Sequence, residues 1–139
     1  MATLKISDLS VGDWVRYGGL DYQVKSIHGD FENVTLIGNK EQRDESIYAL
    51  HPIPITAEML EKNGWLFHKN NRWWVCQIDK DTRANVWLGE NGGCRVEVSV
   101  MYGESRTWSN YADVKLANAH IHLLQGVLRL AGVDKEIDL

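Results

Sequence analysis

Cysteine, histidine and carboxylate side chains are the groups in this sequence whose types and spacing could do chemistry. Cys76 lies near His68 and Asp79 in the chain, and a thiol hydrolase needs a thiol, an imidazole and a carboxylate within reach of one another. Because side chains alternate along a strand, Cys76 is expected to face the core and Asp79 the opposite side. The sequence therefore predicts a buried structural cysteine, and a small thiol hydrolase is kept as a second alternative function.

His120 and His122 form an HxH pattern, which suggests a metal site. In a helix, however, two side chains at this spacing point about 200° apart, so one ion could not bind both. His120 is instead expected to be a core histidine with a satisfied hydrogen bond. The sequence also lacks a glycine-rich phosphate loop, a GxSxG turn and an HExxH motif. We therefore expect no catalytic residue, no metal ion and no cofactor, and we predict a chain that is not an enzyme.

The carboxyl-terminal segment carries the clearest helical periodicity. A helix is predicted from about Asn118, acting as its cap, to Ala131. At about 100° per residue, His122, Gln125 and Arg129 form one narrow polar stripe on this helix. The stripe is expected either to form an ordinary hydrogen-bond network or to contact a partner. The predicted apolar arc of the helix consists of Leu123, Leu124, Val127, Leu128, Leu130 and Ala131.

Alternation of apolar residues indicates a strand with a core-facing side in the run from Cys94 to Tyr102. The opposite face of the same predicted sheet is expected to hold Trp73, Val75, Trp87 and Met101. These side chains are too large and too apolar to remain in water, so the face needs a cover, supplied either by the amino-terminal domain or by a second chain. The residues predicted to bind a protein partner or a second copy are Trp73, Trp87, Met101, His122, Gln125 and Arg129.

Basic and aromatic residues are interleaved in the segment from 68 to 83, which suggests nucleic-acid binding as an alternative. Single-stranded nucleic acid could stack its bases on exposed tryptophans while cations pair with its phosphates. Asp79 and Asp81 offset part of this positive charge, and a hairpin with solvated edge charges is the simpler explanation. The residues predicted for this alternative are Lys69, Arg72, Trp73, Lys80 and Arg83.

Composition and charge limit the classes of function. The 139 residues are enough for one ordinary domain or two small ones, and 44% hydrophobic with 24% charged residues is typical of a globular chain. The formal net charge of −4 argues against general nucleic-acid binding, which usually requires a basic excess. No apolar run has the length of a signal peptide or a membrane span, so we expect a cytoplasmic protein with no membrane partner.

The pattern of turns and prolines predicts an α+β fold in two parts. Short strands separated by glycine turns, including a hairpin at Gly18 and Gly19, favour an SH3-like small β-barrel over residues 1–55. Pro52 and Pro54 mark the boundary. Residues 56–139 are expected to form a short helix at 57–63, capped by Thr56, a twisted antiparallel sheet and a carboxyl-terminal helix packed on that sheet.

Three stretches of the sequence carry a resemblance to a family. Residues 6–15 (ISDLSVGDWV) are similar to its amino-terminal strand, residues 53–65 (IPITAEMLEKNGW) resemble its stretch PIPLTEEILLKNGF, and residues 122–132 (HLLQGVLRLAG) resemble its helix HELQHALRLCG. On these stretches the chain resembles an uncharacterised protein family found in Bacteroidetes genomes and their prophages. That family has no assigned activity, substrate or cofactor. The resemblance therefore implies the order of the parts and a mobile-element origin.

Taken together, these patterns favour a non-catalytic binding or accessory protein of mobile-element origin that holds a protein partner. Single-stranded nucleic-acid binding is the first alternative. The identity of the partner and the oligomeric state do not follow from the sequence.

Overall fold

The computed structural model of the chain describes residues 4–38, 40–102, 107–133 and 135–139. Asn39, predicted in a turn, and the side chain of Tyr102, predicted in the core, lie outside the described residues. The fold class is α+β, as predicted. The strands are β1 (Trp14–Tyr17), β2 (Leu20–His28), β3 (Asn33–Gly38), β4 (Glu41–Ser46), β5 (Leu66–His68), β6 (Trp73–Asp79), β7 (Thr82–Leu88), β8 (Cys94–Tyr102) and β9 (Thr107–Leu116), and the helices are α1 (Ala57–Lys62) and α2 (Ile121–Leu130).

The chain divides into two compact units. The first consists of Met1–Pro54 together with His120–Gly126, and the second of Ile55–Ala119 together with Val127–Leu139. Helix α2 thus contributes its first part to one unit and its last turn to the other.

The first unit is an antiparallel sheet with the strand order β1-β2-β3-β4. The predicted hairpin is confirmed: Tyr17 pairs with Leu20, and the two glycines between them have φ angles of +57° and +80°, which side chains disfavour. After a 3₁₀ turn at Ile47–Ala49, a single antiparallel bridge joins Arg16 to His51. Among the described residues no pairing of β4 closes this sheet into a barrel. The core of the unit contains Leu4, Leu9, Val15, Tyr22, Val24, Val34, Leu36, Ile47 and Leu50.

Strand β4 is the outer strand of this sheet, and its side chains are mostly exposed. Its sequence, EQRDES, consists of polar and charged residues. The Arg43 guanidinium binds the carboxylates of Glu45 at 2.9 Å and Glu41 at 3.4 Å. This arrangement sets a row of fixed charges along the edge.

The second unit begins with the predicted short helix. The hydroxyl of Thr56 accepts a hydrogen bond from the Met59 backbone N–H at 3.2 Å, and Gly64 follows the helix with a φ of +83°, as expected of a helix that is capped at both ends. The sheet that follows is antiparallel in the order β5-β6-β7-β8-β9.

One face of this second sheet is the core face predicted from alternation. Register pairs Cys76 with Ala84, Ala84 with Val98, and Val86 with Val96. The side chains of Cys76, Ala84, Val86, Cys94, Val96 and Val98 are buried. Sequence alternation was therefore sufficient to identify this face.

Helix α2 begins later than predicted. It starts at Ile121, and the predicted cap, Asn118, lies outside it. Before it the chain bends at residues 117–118, and the Ala119 carbonyl accepts from the Ile55 N–H at 2.7 Å while its N–H donates to Gly92 at 2.7 Å. A helix that began at Asn118 would need the Ala119 carbonyl to accept from the Leu123 N–H instead.

Candidate functional site

The second face of the sheet in the second unit gathers aromatic, basic and polar side chains. Register opposes Trp87 to Arg95 and Met101 to Trp108, and the ring of Trp73 lies 4.4 Å from that of Trp87. We call this surface the Trp–Arg face. Its members are Trp73, Val75, Arg83, Asn85, Trp87, Arg95, Glu97, Ser99, Met101, Trp108 and Asp113.

The tryptophans of the Trp–Arg face are partly covered by arginine side chains. The Arg83 guanidinium lies 4.3 Å from the ring centre of Trp108 and 6.0 Å from that of Trp73, and the Arg95 guanidinium lies 5.0 Å from that of Trp87. Cations at such distances are attracted to the indole faces. The four side chains predicted to need a cover, including Val75 and Met101, are half-buried. The arginine side chains of the face thus supply part of its cover, a source that the sequence did not indicate beside the amino-terminal domain and a second chain.

Arg95 also neutralises the acidic side of this face. Its guanidinium binds Asp113 at 2.7 Å and Glu97 at 2.9 Å. The hydrogen bond to Asp113 raises the pKa of Arg95 above its usual value, and the same bond lowers the pKa of the Asp113 carboxyl. Arg95 and Asp113 are therefore charged at neutral pH, and the guanidinium offsets negative charge on this side of the face.

Asn85 lies at the centre of the Trp–Arg face. Its register neighbours are Val75 on β6 and Glu97 on β8, and its side chain has an exposed fraction of 0%. Neither Nδ2 nor Oδ1 has a hydrogen-bond partner among the described residues. The Nε–H of Arg83 and the Nε1–H of Trp73, on the same face, are also buried without an acceptor. Buried polar groups are normally paired, so this cluster of unpaired atoms requires an explanation.

The predicted nucleic-acid contacts do not form one compact patch. Lys69 and Arg72 lie in the exposed turn that precedes β6, whereas Lys80 lies in the exposed turn that follows it. The seven residues of β6 separate these turns by about 20 Å. Only Trp73 and Arg83 of that set belong to the Trp–Arg face. The turn before β6 is tied to this face because Trp87 Nε1 donates to the Asn71 carbonyl at 3.0 Å.

The predicted polar stripe of the carboxyl-terminal helix is not a shared surface. His122 and Gln125 are buried in the first unit, with exposed fractions of 3% and 6%, whereas Arg129 is exposed and belongs to the second unit. Gln125 binds backbone instead: its Oε1 accepts from the Trp14 N–H at 3.0 Å, and its Nε2 donates to the Gly12 carbonyl at 3.2 Å. The amide satisfies buried main-chain groups, which periodicity alone does not reveal.

The apolar arc predicted for this helix also needs correction at one end. Leu130 has an exposed fraction of 91%, although it was expected in the core. Leu124, Val127 and Leu128 are buried as expected. Leu130 is exposed because the buried side of the helix includes His122 and Gln125. The buried side therefore does not coincide with the predicted apolar arc, and Leu130 lies outside it.

The two histidines of the HxH pattern are closer than a helical spacing allows. His120 precedes α2, so its ring stacks on that of His122 with 5.8 Å between the ring centres. Burial lowers the pKa of His120, and burial together with the neighbouring His120 lowers the pKa of His122 to about 4. No group of three or more histidine, cysteine, aspartate or glutamate side chains in the described part of the chain is arranged to hold a metal ion.

The predicted constellation around Cys76 is not assembled. His68 is in register with Trp73 on the Trp–Arg face, whereas Cys76 lies on the core face. An irregularity between Gln77 and Asp79 places Asp79 in register with Thr82, on the core face, so the simple alternation that put Asp79 opposite Cys76 was wrong. Burial raises the pKa of the Cys76 thiol, and Lys135 opposes this effect only in part.

Three central members of the site were missed by the sequence reasoning: Asn85, Arg95 and Trp108. The signal for Asn85 was available, since an asparagine in the middle of a strand is unfavourable. Trp108 was missed because its alignment with Met101 depends on an irregularity between Val98 and Ser99 that alternation does not predict.

No protein-family model matches the sequence, and no curated protein or solved structure matches it either. In the ranges that the structure describes, no helix has both the length and the apolar character to cross a membrane.

Proposed function

We propose that this chain is a non-catalytic binding protein that holds a protein partner on the Trp–Arg face of its second unit. The observation that carries the proposal is the collection of three indole rings, two stacked guanidinium groups and a centre of unpaired polar atoms on one sheet face. Tryptophan and arginine are the residue types enriched where partner proteins contribute most binding energy.

The edge of the same face supports this proposal. Leu66 on β5 is in register with Val75, and its side chain is 70% exposed. Large apolar side chains beside an aromatic cluster extend the area that a partner could bury. His122 and Gln125 are excluded from the surface because they are buried, so the proposed contacts are Trp73, Trp87, Met101 and Leu66.

Photo-crosslinking at one residue of this edge tests the proposal. A photoreactive amino acid at Leu66 is expected to give a discrete protein adduct in cells, and the adduct should be lost in a Trp87→Ala background. The matched control is the same amino acid at Leu130, which is 91% exposed but lies on α2. Equal adducts from both positions, or none from position 66, would contradict the proposal. The adduct mass also distinguishes a second copy of this chain from another protein.

Single-stranded nucleic acid is a second candidate for the same face, favoured by the arginine and tryptophan pairs. Bases can stack on indole rings, and Arg83 forms no ion pair with a carboxylate among the described residues. Quenching of tryptophan fluorescence by oligonucleotides, weakening as salt rises, would support this candidate. Absence of quenching at low salt would remove it.

We also infer that the first unit is related to an SH3-like small barrel, with the segment around His51 as a very short last strand. The support is the order of four sheet strands, a 3₁₀ turn and a return to β1 through the Arg16–His51 bridge. The resemblance to the Bacteroidetes and prophage family, the mobile-element origin and the cytoplasmic location stay predictions.

A further inference from the structure

We propose that the Trp–Arg face also contains a small-ligand site centred on Asn85, and that its ligand is a planar heterocycle with an imide edge, as in uracil or thymine. An imide presents a carbonyl, an N–H and a second carbonyl side by side. This inference goes beyond partner binding, although it rests on the same face being a binding surface.

The amide of Asn85 defines the edge that the ligand must present. Its Nδ2 donates and its Oδ1 accepts, the two atoms are adjacent, and neither has a partner among the described residues. A trans peptide bond points its N–H and C=O in opposite directions and so cannot satisfy both. A heterocycle with a carbonyl beside a ring N–H can, in the bidentate manner by which asparagine recognises a base edge.

Two further donors restrict which ligand atoms can lie beside the Asn85 amide. The Nε–H of Arg83, two residues from Asn85 on β7, and the Nε1–H of Trp73 have no acceptor among the described residues. Together with the Asn85 amide, these groups give the cluster three unpaired donors and one unpaired acceptor. An imide edge, with two carbonyls on either side of one N–H, complements this excess of donors better than an edge with a single carbonyl.

The charge of the surroundings favours a neutral ligand. Glu97 opposes Asn85 in register, and Arg95 holds both Glu97 and Asp113. A carboxylate or phosphate placed against Asn85 would be repelled by the buried Glu97 carboxylate and attracted by Arg83, which forms no ion pair with a carboxylate among the described residues, so a negative charge on the ligand brings little net attraction. An uncharged imide provides the carbonyl acceptors without adding a negative charge.

Trp73 supplies the cover of this site. Its ring lies against Trp87 on one side and within 6.0 Å of the Arg83 guanidinium on the other, while Asn85 lies between Arg83 and Trp87 in the strand. The indole is half-buried, and its two neighbours flank Asn85 in the strand, so its ring is the cover that the proposed ligand would have to move. Ligand entry therefore moves the Trp73 ring toward the rim of the heterocycle, where its Nε1–H can donate to a ligand carbonyl.

Titration of the full chain with nucleosides tests the proposal. Uridine is expected to shift the NMR signals of the Asn85 side-chain amide and the Trp73 indole N–H and to change tryptophan fluorescence. N3-methyluridine, in which the imide N–H is blocked, should bind at least about tenfold more weakly because Oδ1 would stay unpaired. A parallel titration with oligouridylate identifies the source of the base: shifts of these two signals by uridine indicate a free nucleoside as the ligand, whereas shifts by oligouridylate alone indicate a base within a strand, and either result supports the site.

Variants show whether a loss of uridine binding comes from the site itself or from a general loss of folding. Arg83→Lys keeps the positive charge but removes the Nε–H, and Asn85→Asp removes the donor. Both should weaken uridine binding about tenfold, whereas the matched exposed variant Asn91→Asp should not. Unchanged Asn85 and Trp73 signals with millimolar uridine and with oligouridylate would overturn the proposal, as would equal binding of N3-methyluridine. The crosslinking result at Leu66 is independent of these readouts, so either proposal can fail alone.

Discussion

Protonation of His122 gives the sharpest quantitative prediction. The side chain is buried with an exposed fraction of 3%, its Nδ1 has no hydrogen-bond partner among the described residues, and its pKa is lowered to about 4 from an ordinary value of 6.5. The unfolded chain therefore binds a proton at this residue at a higher pH than the folded chain. Stability from neutral His122 is complete above pH 6.5 and is lost as the pH falls toward 4.

The magnitude follows from the two pKa values. At about 1.4 kcal/mol per pH unit, the gap corresponds to a loss on the order of 3 kcal/mol in the free energy of unfolding between pH 6.5 and pH 4. Carboxyl groups also titrate in this range, so a variant must isolate the histidine. His122→Gln removes the titrating ring, and the difference in unfolding free energy between wild type and variant should change by about this amount across the window.

The assay is urea unfolding at a series of pH values, followed by probes in the first unit, together with NMR titration of the imidazole. His51→Gln, which makes the same replacement at an exposed histidine of the same unit, is the matched control. If His122→Gln gives a pH profile parallel to that of wild type, or if the ring of His122 titrates near 6.5, the reasoning from burial is refuted.

Other substitutions and reagents give predictions that are simpler to check. Gln125→Leu removes both hydrogen bonds to the first-unit backbone and should lower the unfolding free energy by about 2 kcal/mol, with Gln42→Leu at an exposed position as control; an unchanged urea midpoint would contradict this. Gly126→Ala places a methyl group in open space within α2 and should stabilise by about 0.5–1 kcal/mol. Gly93→Ala brings a Cβ within 2.9 Å of a backbone oxygen, so its melting temperature should fall, and a rise would show that the loop adapts. Burial raises the pKa of Cys94 to about 11 and also raises that of Cys76, so a thiol reagent at pH 7 should react with both only after unfolding; fast labelling of native Cys76 would revive the thiol hydrolase.

The sequence predicted the elements whose signals are local. The Gly18-Gly19 hairpin and the Thr56 cap depend on turn chemistry within a few residues, and both are present. The core face around Cys94 followed from alternation because β8 continues through nine residues. Such features need no knowledge of distant parts of the chain.

The errors arose where distant parts of the chain decide the outcome. Asn118 is a good capping residue, but the Ala119 carbonyl next to it pairs with the Ile55 N–H and is not available to a helix that begins there. Gln125 looks like a surface residue by polarity, although it is buried against the backbone of Gly12 and Trp14. A polar residue on a helix is thus a poor indicator of a surface when irregular backbone nearby needs hydrogen bonds.

The candidate site was predicted in part, because the common face of Trp73, Trp87 and Met101 follows from alternation. Its polar centre was not predicted, since the unpaired state of Asn85 and the stacking of Arg83 on Trp108 depend on how neighbouring strands align. The irregularities at Gln77 and Val98 alter that alignment, and β-bulges leave only weak marks in a sequence.

The charged outer strand β4 has a consequence for how the protein behaves at high concentration. A strand from another molecule that docked there would have to strip water from Arg43 and its two glutamates while aligning its backbone with theirs. Desolvation of these charges makes pairing of a further strand with β4 unfavourable. Edge-to-edge association of copies through β4, which would extend the sheet into a fibril, is therefore suppressed.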